Sequence, residues 1–283
     1  MNHVIEISGL KKQYGNFLLD DVSFSVPGGY VCGFIGENGA GKTTILKLIL
    51  GMAMKDGGDI RLFGKSADDV LLKEDIGALF EQPYYQEDWT PADVEKAVRP
   101  FYKKWDSALF NRYLERFSLH PKQKYKTMSR GMKMKLGMAV TLAHDAKLLL
   151  LDEPTSGLDP VGRDEMLGIL RSYMVKDNRT IFFSTHITGD LEKFADYITY
   201  IKNGRIQYSG LKDELIEKYC LIRGGAGDLP PSKRGQVIGL REHSGGFDAM
   251  IEMKDIAGFP GSVIMETVSL DDIMVRMSKE GEM

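Results

Sequence analysis

The stretch from Gly36 to Thr44 (GENGAGKTT) has the residue types and spacing of a phosphate-binding loop, the Walker A pattern. Gly36 and Gly41 are separated by the four residues Glu37, Asn38, Gly39 and Ala40, and Lys42, Thr43 and Thr44 follow. Backbone N–H groups of such a turn converge on phosphate oxygens, and the helix that starts there adds the positive end of its dipole. Lys42 is placed to reach the β and γ phosphates of a nucleotide such as ATP, and the Thr43 hydroxyl to ligate Mg²⁺. The bland alternative is a glycine turn before an ordinary helix.

Downstream residues argue against that alternative. Four leucines (Leu148 to Leu151) run into Asp152 and Glu153, the pattern of a buried strand whose end opens on a site. Asp152 is expected in the Mg²⁺ shell, and Glu153, facing another direction, can polarise an attacking water. His186 ends the TIFFST run and is either a phosphate sensor or a satisfied loop residue. Tyr14, on a loop ahead of the phosphate turn, either stacks on an adenine or covers core. The segment from Pro121 to Lys135 carries six basic and no acidic residues, and Ser129 can cap a helix starting near Gly131. A helix start there is an anion site, a solvated face or a nucleic-acid patch.

The elements that must position these groups are legible as periodicities. Strands are expected at Val4–Leu10, Asp21–Val26, Tyr30–Ile35, Asp59–Phe63, Ile76–Phe80, Lys147–Leu151 and Thr180–Ser184. Helices are expected at Ile45–Leu50, then at Ala92–Val98, Ser107–Phe117 and Gly131–Ala143 with no strand between them, and from Pro160 to about Val175 behind an Asp159 cap. A hairpin at Asp196–Ile201 and Arg205–Gln207 and a helix at Leu211–Tyr219 close the main domain, residues 1–219, with a helical insert at about 90–145. Residues 220–283 read as a small α+β appendage. It has strands at Val237–Leu240, Phe247–Met253 and Val263–Thr267 and a helix behind a Ser269–Asp272 capping box. Phe101, Tyr102 and Trp105 read as packing between helices.

Composition bounds the function. With 37 Lys and Arg against 40 Asp and Glu in 283 residues, the net charge of -3 gives no general support for nucleic-acid binding. Two distant cysteines, Cys32 and Cys220, suit a reducing compartment. No signal peptide is expected, and no apolar run approaches the about eighteen residues of a membrane helix.

Over residues 4 to 219 the chain resembles the ATP-binding subunits of ABC transporters. The match runs through Tyr14, GENGAGKTT, SRGMK, LLLLDEP, SGLD and His186 in that order. The resemblance implies an α/β P-loop NTPase with a RecA-like core, an antiparallel β subdomain and a helical subdomain. It also implies ATP hydrolysis with Mg²⁺, and two cassettes enclosing two ATP molecules as a homodimer or heterodimer. Tyr14 then stacks on adenine, Ser129 and Gly131 meet the γ phosphate of the opposite cassette, Asp159 lies in the D-loop and His186 is the switch histidine. Two motifs depart from the family pattern. The signature LSGGQ is here MSRGM, with Arg130 for the first glycine and Met132 for the glutamine; the Q-loop glutamine, implied as a Mg²⁺ contact, should fall at Glu81 rather than Gln82, so that either the loop is shifted by one residue or a carboxylate takes the place of the amide. The chain is similar to ABC-2 type exporter cassettes, including those handling lantibiotic-like peptides and bacitracin. That implies a separate transmembrane permease, a position on the cytoplasmic face of the membrane and no nucleic acid. A soluble ABC-type ATPase acting on nucleic acid or the ribosome is the alternative.

Overall fold

The computed structural model describes residues 2–81, 83–176 and 178–278. The chain forms two compact units. One comprises residues up to His186 with Tyr197–Ser209, and the other comprises Ile187–Asp196 with the chain from Gly210 onward.

In the first unit, β1 (His3–Tyr14) and β2 (Phe17–Pro27) form a long hairpin, and β3 (Val31–Ile35) leads through the glycine turn into α1 (Lys42–Ile49). There follow β4 (Gly57–Leu62), β5 (Lys65–Ser66), a 3₁₀ turn at Val70–Asp75 and β6 (Ile76–Leu79). The helical insert holds α2 (Pro91–Val98), α3 (Ser107–Arg116) and α4 (Arg130–Leu142), with no strand among its described residues. Then come β7 (Leu148–Asp152), α5 (Pro160–Met174), β8 (Thr180–Thr185), β9 (Tyr197–Lys202) and β10 (Arg205–Leu211), whose last two residues fall in the second unit; α6 (Thr188–Phe194), between β8 and β9 in the chain, belongs to the second unit.

The central sheet has the order β10-β9-β3-β8-β7-β6. The pairs β3·β8, β3·β9, β6·β7 and β7·β8 are parallel. Every residue of β3, β7 and β8 is buried, as expected of parallel strands covered on both faces. The strand ends Ile35, Asp152 and Thr185 are in register with one another across β8, since Ile35 pairs with Thr185 and Asp152 with Ser184. This alignment sets the phosphate turn, the acid pair and His186 along one edge of the sheet.

A second, antiparallel sheet has the order β2-β1-β4-β5. Its Phe24 ring lies 5.8 Å from both Phe34 of β3 and Phe182 of β8, fastening it to the central sheet by contacts of about 0.5–1.5 kcal/mol each beyond simple burial. Helix starts follow the capping rules. Thr90 and Asp93 form a capping box, Asp106 accepts from Leu109 N–H at 2.8 Å, and Asp159 accepts from Gly162 N–H at 2.7 Å ahead of Pro160. Tyr102 packs between His144, at 3.9 Å, and Trp105, at 6.4 Å, as expected of a packing cluster; Phe101 instead is 81% exposed.

The second unit adds α7 (Lys212–Glu217), β11 (Tyr219–Gly224), β12 (Ile238–His243), β13 (Gly246–Glu252), β14 (Ile264–Thr267) and α8 (Leu270–Ser278). Its antiparallel sheet has the order β12-β13-β11-β14 over a core of Cys220, Ile222, Phe247, Ala249 and Ile251. The Ser269–Asp272 capping box is present, with Asp272 N–H donating to Ser269 Oγ at 3.0 Å. Several elements differ from the sequence expectation: Tyr14 ends strand β1 instead of lying on a loop, and β2 begins at Phe17 rather than Asp21. Tyr219 begins a strand rather than ending a helix, and Thr188–Phe194 is a helix where none was expected. Among the described residues no helix is long and apolar enough to cross a membrane.

Candidate nucleotide site

The phosphate turn is held by close backbone approach. A Cβ at Gly36 would collide with the Ile201 carbonyl oxygen, and one at Gly41 would lie 2.7 Å from Leu19 Cδ2. Gly41 also has φ +113, a left-handed conformation that side chains resist. Lys42, only 6% exposed, donates from Nζ to the carbonyl oxygens of Gly36 at 2.6 Å and Glu37 at 3.2 Å. Burial holds its ammonium below the ordinary lysine range, against the opposing pull of Glu153, Asp152, Glu37 and Glu81. A desolvated cation at a helix start gains from an anion, and a phosphate chain is the ligand that geometry suits.

At the end of β7, Asp152 accepts from Thr43 Oγ1 at 2.7 Å through one oxygen and from Ser184 Oγ at 2.5 Å through the other. The hydroxyl of Thr43 and the carboxylate of Asp152 are thus adjacent hard oxygen donors. They suit Mg²⁺, which takes few protein ligands and completes its shell with phosphate oxygens and water. No cluster of three or more His, Cys, Asp or Glu among the described residues forms a self-sufficient metal site.

Glu153 is the most constrained group. It is 6% exposed and has φ +52, a left-handed backbone that costs a non-glycine residue about 1–2 kcal/mol. Two backbone bonds hold it there, Glu153 N–H to Ser184 O at 3.0 Å and Ser156 N–H to Glu153 O at 3.0 Å. Its Oε2 lies 2.8 Å from His186 Nδ1, while its Oε1 is buried with no hydrogen-bond partner, 3.9 Å from Lys42 Nζ. An unpartnered carboxylate oxygen beside the phosphate turn can accept a proton from water.

The cleft over the turn, about 330 Å³, is lined by Phe17, Glu37, Asn38, Gly39, Gly41, Lys42, Thr43, Thr44, Glu81 and Glu153. Tyr14 lies outside that lining. It is 48% exposed, with Lys12 Nζ 4.9 Å from its ring, and pairs across the hairpin with Phe17, the aromatic that does face the cleft. Sequence reading missed Phe17, although a second aromatic three residues after Tyr14 was the available signal. Ser129 and Gly131 are also absent from the lining. Ser129 Oγ caps α4 by accepting from Met132 N–H at 3.2 Å, and Asp159 is occupied as the cap of α5. Glu81 lines the cleft but forms an ion pair with Arg130, whereas Gln82 lies outside the described residues.

Residues 19–156 match a family model described as ABC transporter. The chain is similar to the lantibiotic transport ATP-binding protein SrtF of Streptococcus pyogenes, 36% identical over 77% of this chain and 98% of that one. It is also similar to the bacitracin transport ATP-binding protein BcrA of Enterococcus faecalis, 33% identical over 73% of this chain and 68% of that one. A solved ATP binding subunit of an ABC transporter superposes with a TM-score of 0.68 at 27% identity, covering 75% of this chain and 91% of the other.

Proposed function

Because the chain belongs to the ABC transporter ATP-binding family, we propose that it powers export of an amphipathic peptide through a separate membrane permease, to which it docks on the cytoplasmic face. The chain hydrolyses ATP, as its family does. The observation that carries the chemistry is the juxtaposition of Lys42, Glu153 and His186 over the phosphate turn. Glu153 Oε1 takes the proton of the water attacking the γ phosphate, and His186 keeps the carboxylate oriented through Oε2. Lys42 exchanges its bonds to the Gly36 and Glu37 carbonyls for phosphate oxygens and stabilises the charge that develops. Thr43 and Asp152 would hold Mg²⁺, which would supply charge to offset that of the phosphates. Phe17 and Tyr14 are the aromatic candidates for the adenine. The cleft lacks Ser129 and Gly131 among its lining, which supports a second cassette supplying those groups. The peptide cargo follows the names of the two relatives, which transport a lantibiotic and bacitracin.

A groove of about 380 Å³ beside the Glu81–Thr90 loop is the docking surface for the permease. Tyr84 is 89% exposed there, whereas the Tyr85 ring packs edge-on against Tyr125 at 5.6 Å, so Tyr84 is the freer anchor. Affinity purification of this chain from cells is expected to recover a multi-helix membrane protein, and Tyr84→Ala to reduce that recovery severalfold without loss of MgATP binding. Undiminished recovery with Tyr84→Ala, and again with Tyr84→Ala and Tyr85→Ala together, would show that the permease docks elsewhere.

A further inference from the structure

Two of the departures from the family pattern, a carboxylate at Glu81 and a guanidinium at Arg130, have opposite charge and meet in the fold. Arg130 Nη2 donates to Glu81 Oε1 and, at 3.0 Å, to Ser156 Oγ. The arginine stem lies over Gly157, whose φ is +75 and where a Cβ would come within 3.0 Å of Arg130 Cδ and Nε. Arg130 is therefore seated on the turn that follows the acid pair as well as on the loop that follows β6.

Charge in the cleft gives this contact a consequence. The lining carries three carboxylates, Glu37, Glu81 and Glu153, against one cation, Lys42, whose nearest carboxylate is Glu153 at 3.9 Å. A polyphosphate entering that cleft meets an excess of negative charge. Glu81 also lines the neighbouring groove together with Arg130, so its carboxylate stands at the wall between the two cavities. We propose that Arg130 is a positioning residue that acts through Glu81, neutralising this carboxylate and holding it against the groove wall so that the cleft accepts a triphosphate. A glutamine at position 81 would carry no charge to neutralise, so the arginine is needed because the acid is there.

The dependence of one residue on the other makes the test specific. Binding of the fluorescent analogue TNP-ATP to the full chain is measured in excess EDTA, so that no metal contributes. Arg130→Gln is expected to weaken binding about three- to fivefold, the scale of a half-exposed ion pair. Glu81→Gln alone is expected to bind more tightly than the parent, because the lining loses a carboxylate and keeps the Arg130 charge, and Arg130→Gln combined with Glu81→Gln to return to near-parental affinity. Arg130→Lys, which keeps the charge, is expected to retain most of it. Raising the ionic strength is expected to shrink the Arg130→Gln defect by screening. Parental affinity in Arg130→Gln at low salt would overturn the proposal. So would a double variant as weak as Arg130→Gln alone, because Arg130 would then act independently of Glu81.

Discussion

Glu153→Gln is expected to bind MgATP with near-parental affinity and to release phosphate at least about a hundredfold more slowly, the loss typical of removing a general base. The amide can still accept from His186 and preserves the shape of a side chain that is almost fully buried, so folding is retained. What disappears is the capacity of the free oxygen beside Lys42 to take a proton. Steady-state phosphate release and equilibrium nucleotide binding, measured on the same preparation, separate the two effects. Parental turnover in this variant would show that another group accepts the proton.

Lys42→Ala is expected to weaken ATP binding about ten- to a hundredfold, from the loss of charge-assisted bonds to phosphate, with turnover falling alongside. The same substitution removes a desolvated cation, but it also leaves buried Glu153 without its nearest opposite charge. Little change in thermal stability is therefore expected, and a nucleotide titration of Lys42→Ala distinguishes a binding role from a folding role. Unchanged affinity would mean that the ammonium remains on the Gly36 and Glu37 carbonyls when nucleotide is present.

The site was legible where chemistry is packed into consecutive residues. Gly36–Thr44 and Leu148–Glu153 each combine a buried run with a polar end, and parallel strands buried on both faces produce that signal directly. The contact between Arg130 and Glu81 was not legible, because 49 positions separate them and only the packing of α4 against β6 brings them together. Phe17 was passed over because the strand β2 was expected to begin at Asp21. In the fold, the hairpin continues outward, with Tyr14 opposite Phe17 and Gln13 opposite Leu18, through register shifts that break the simple alternation. The strand Tyr219–Gly224 was hidden by the glycine- and proline-rich stretch directly after it. Its burial depends on partners in β13 and β14, which are distant in sequence. Helix α6 spans only Thr188–Phe194, too few residues for a helical period to stand out.

In the proposed mechanism one chain supplies half of each ATP site, and ATP brings two halves together. Glu153→Gln is the variant to use, since it is expected to hold nucleotide without consuming it. Sedimentation velocity of that variant with and without MgATP is the most direct measurement. A monomer is expected without nucleotide and a dimer with MgATP, either with itself or, if a sister cassette is required, when that chain is added. A monomer that persists under all three conditions while nucleotide is demonstrably bound would contradict this mechanism.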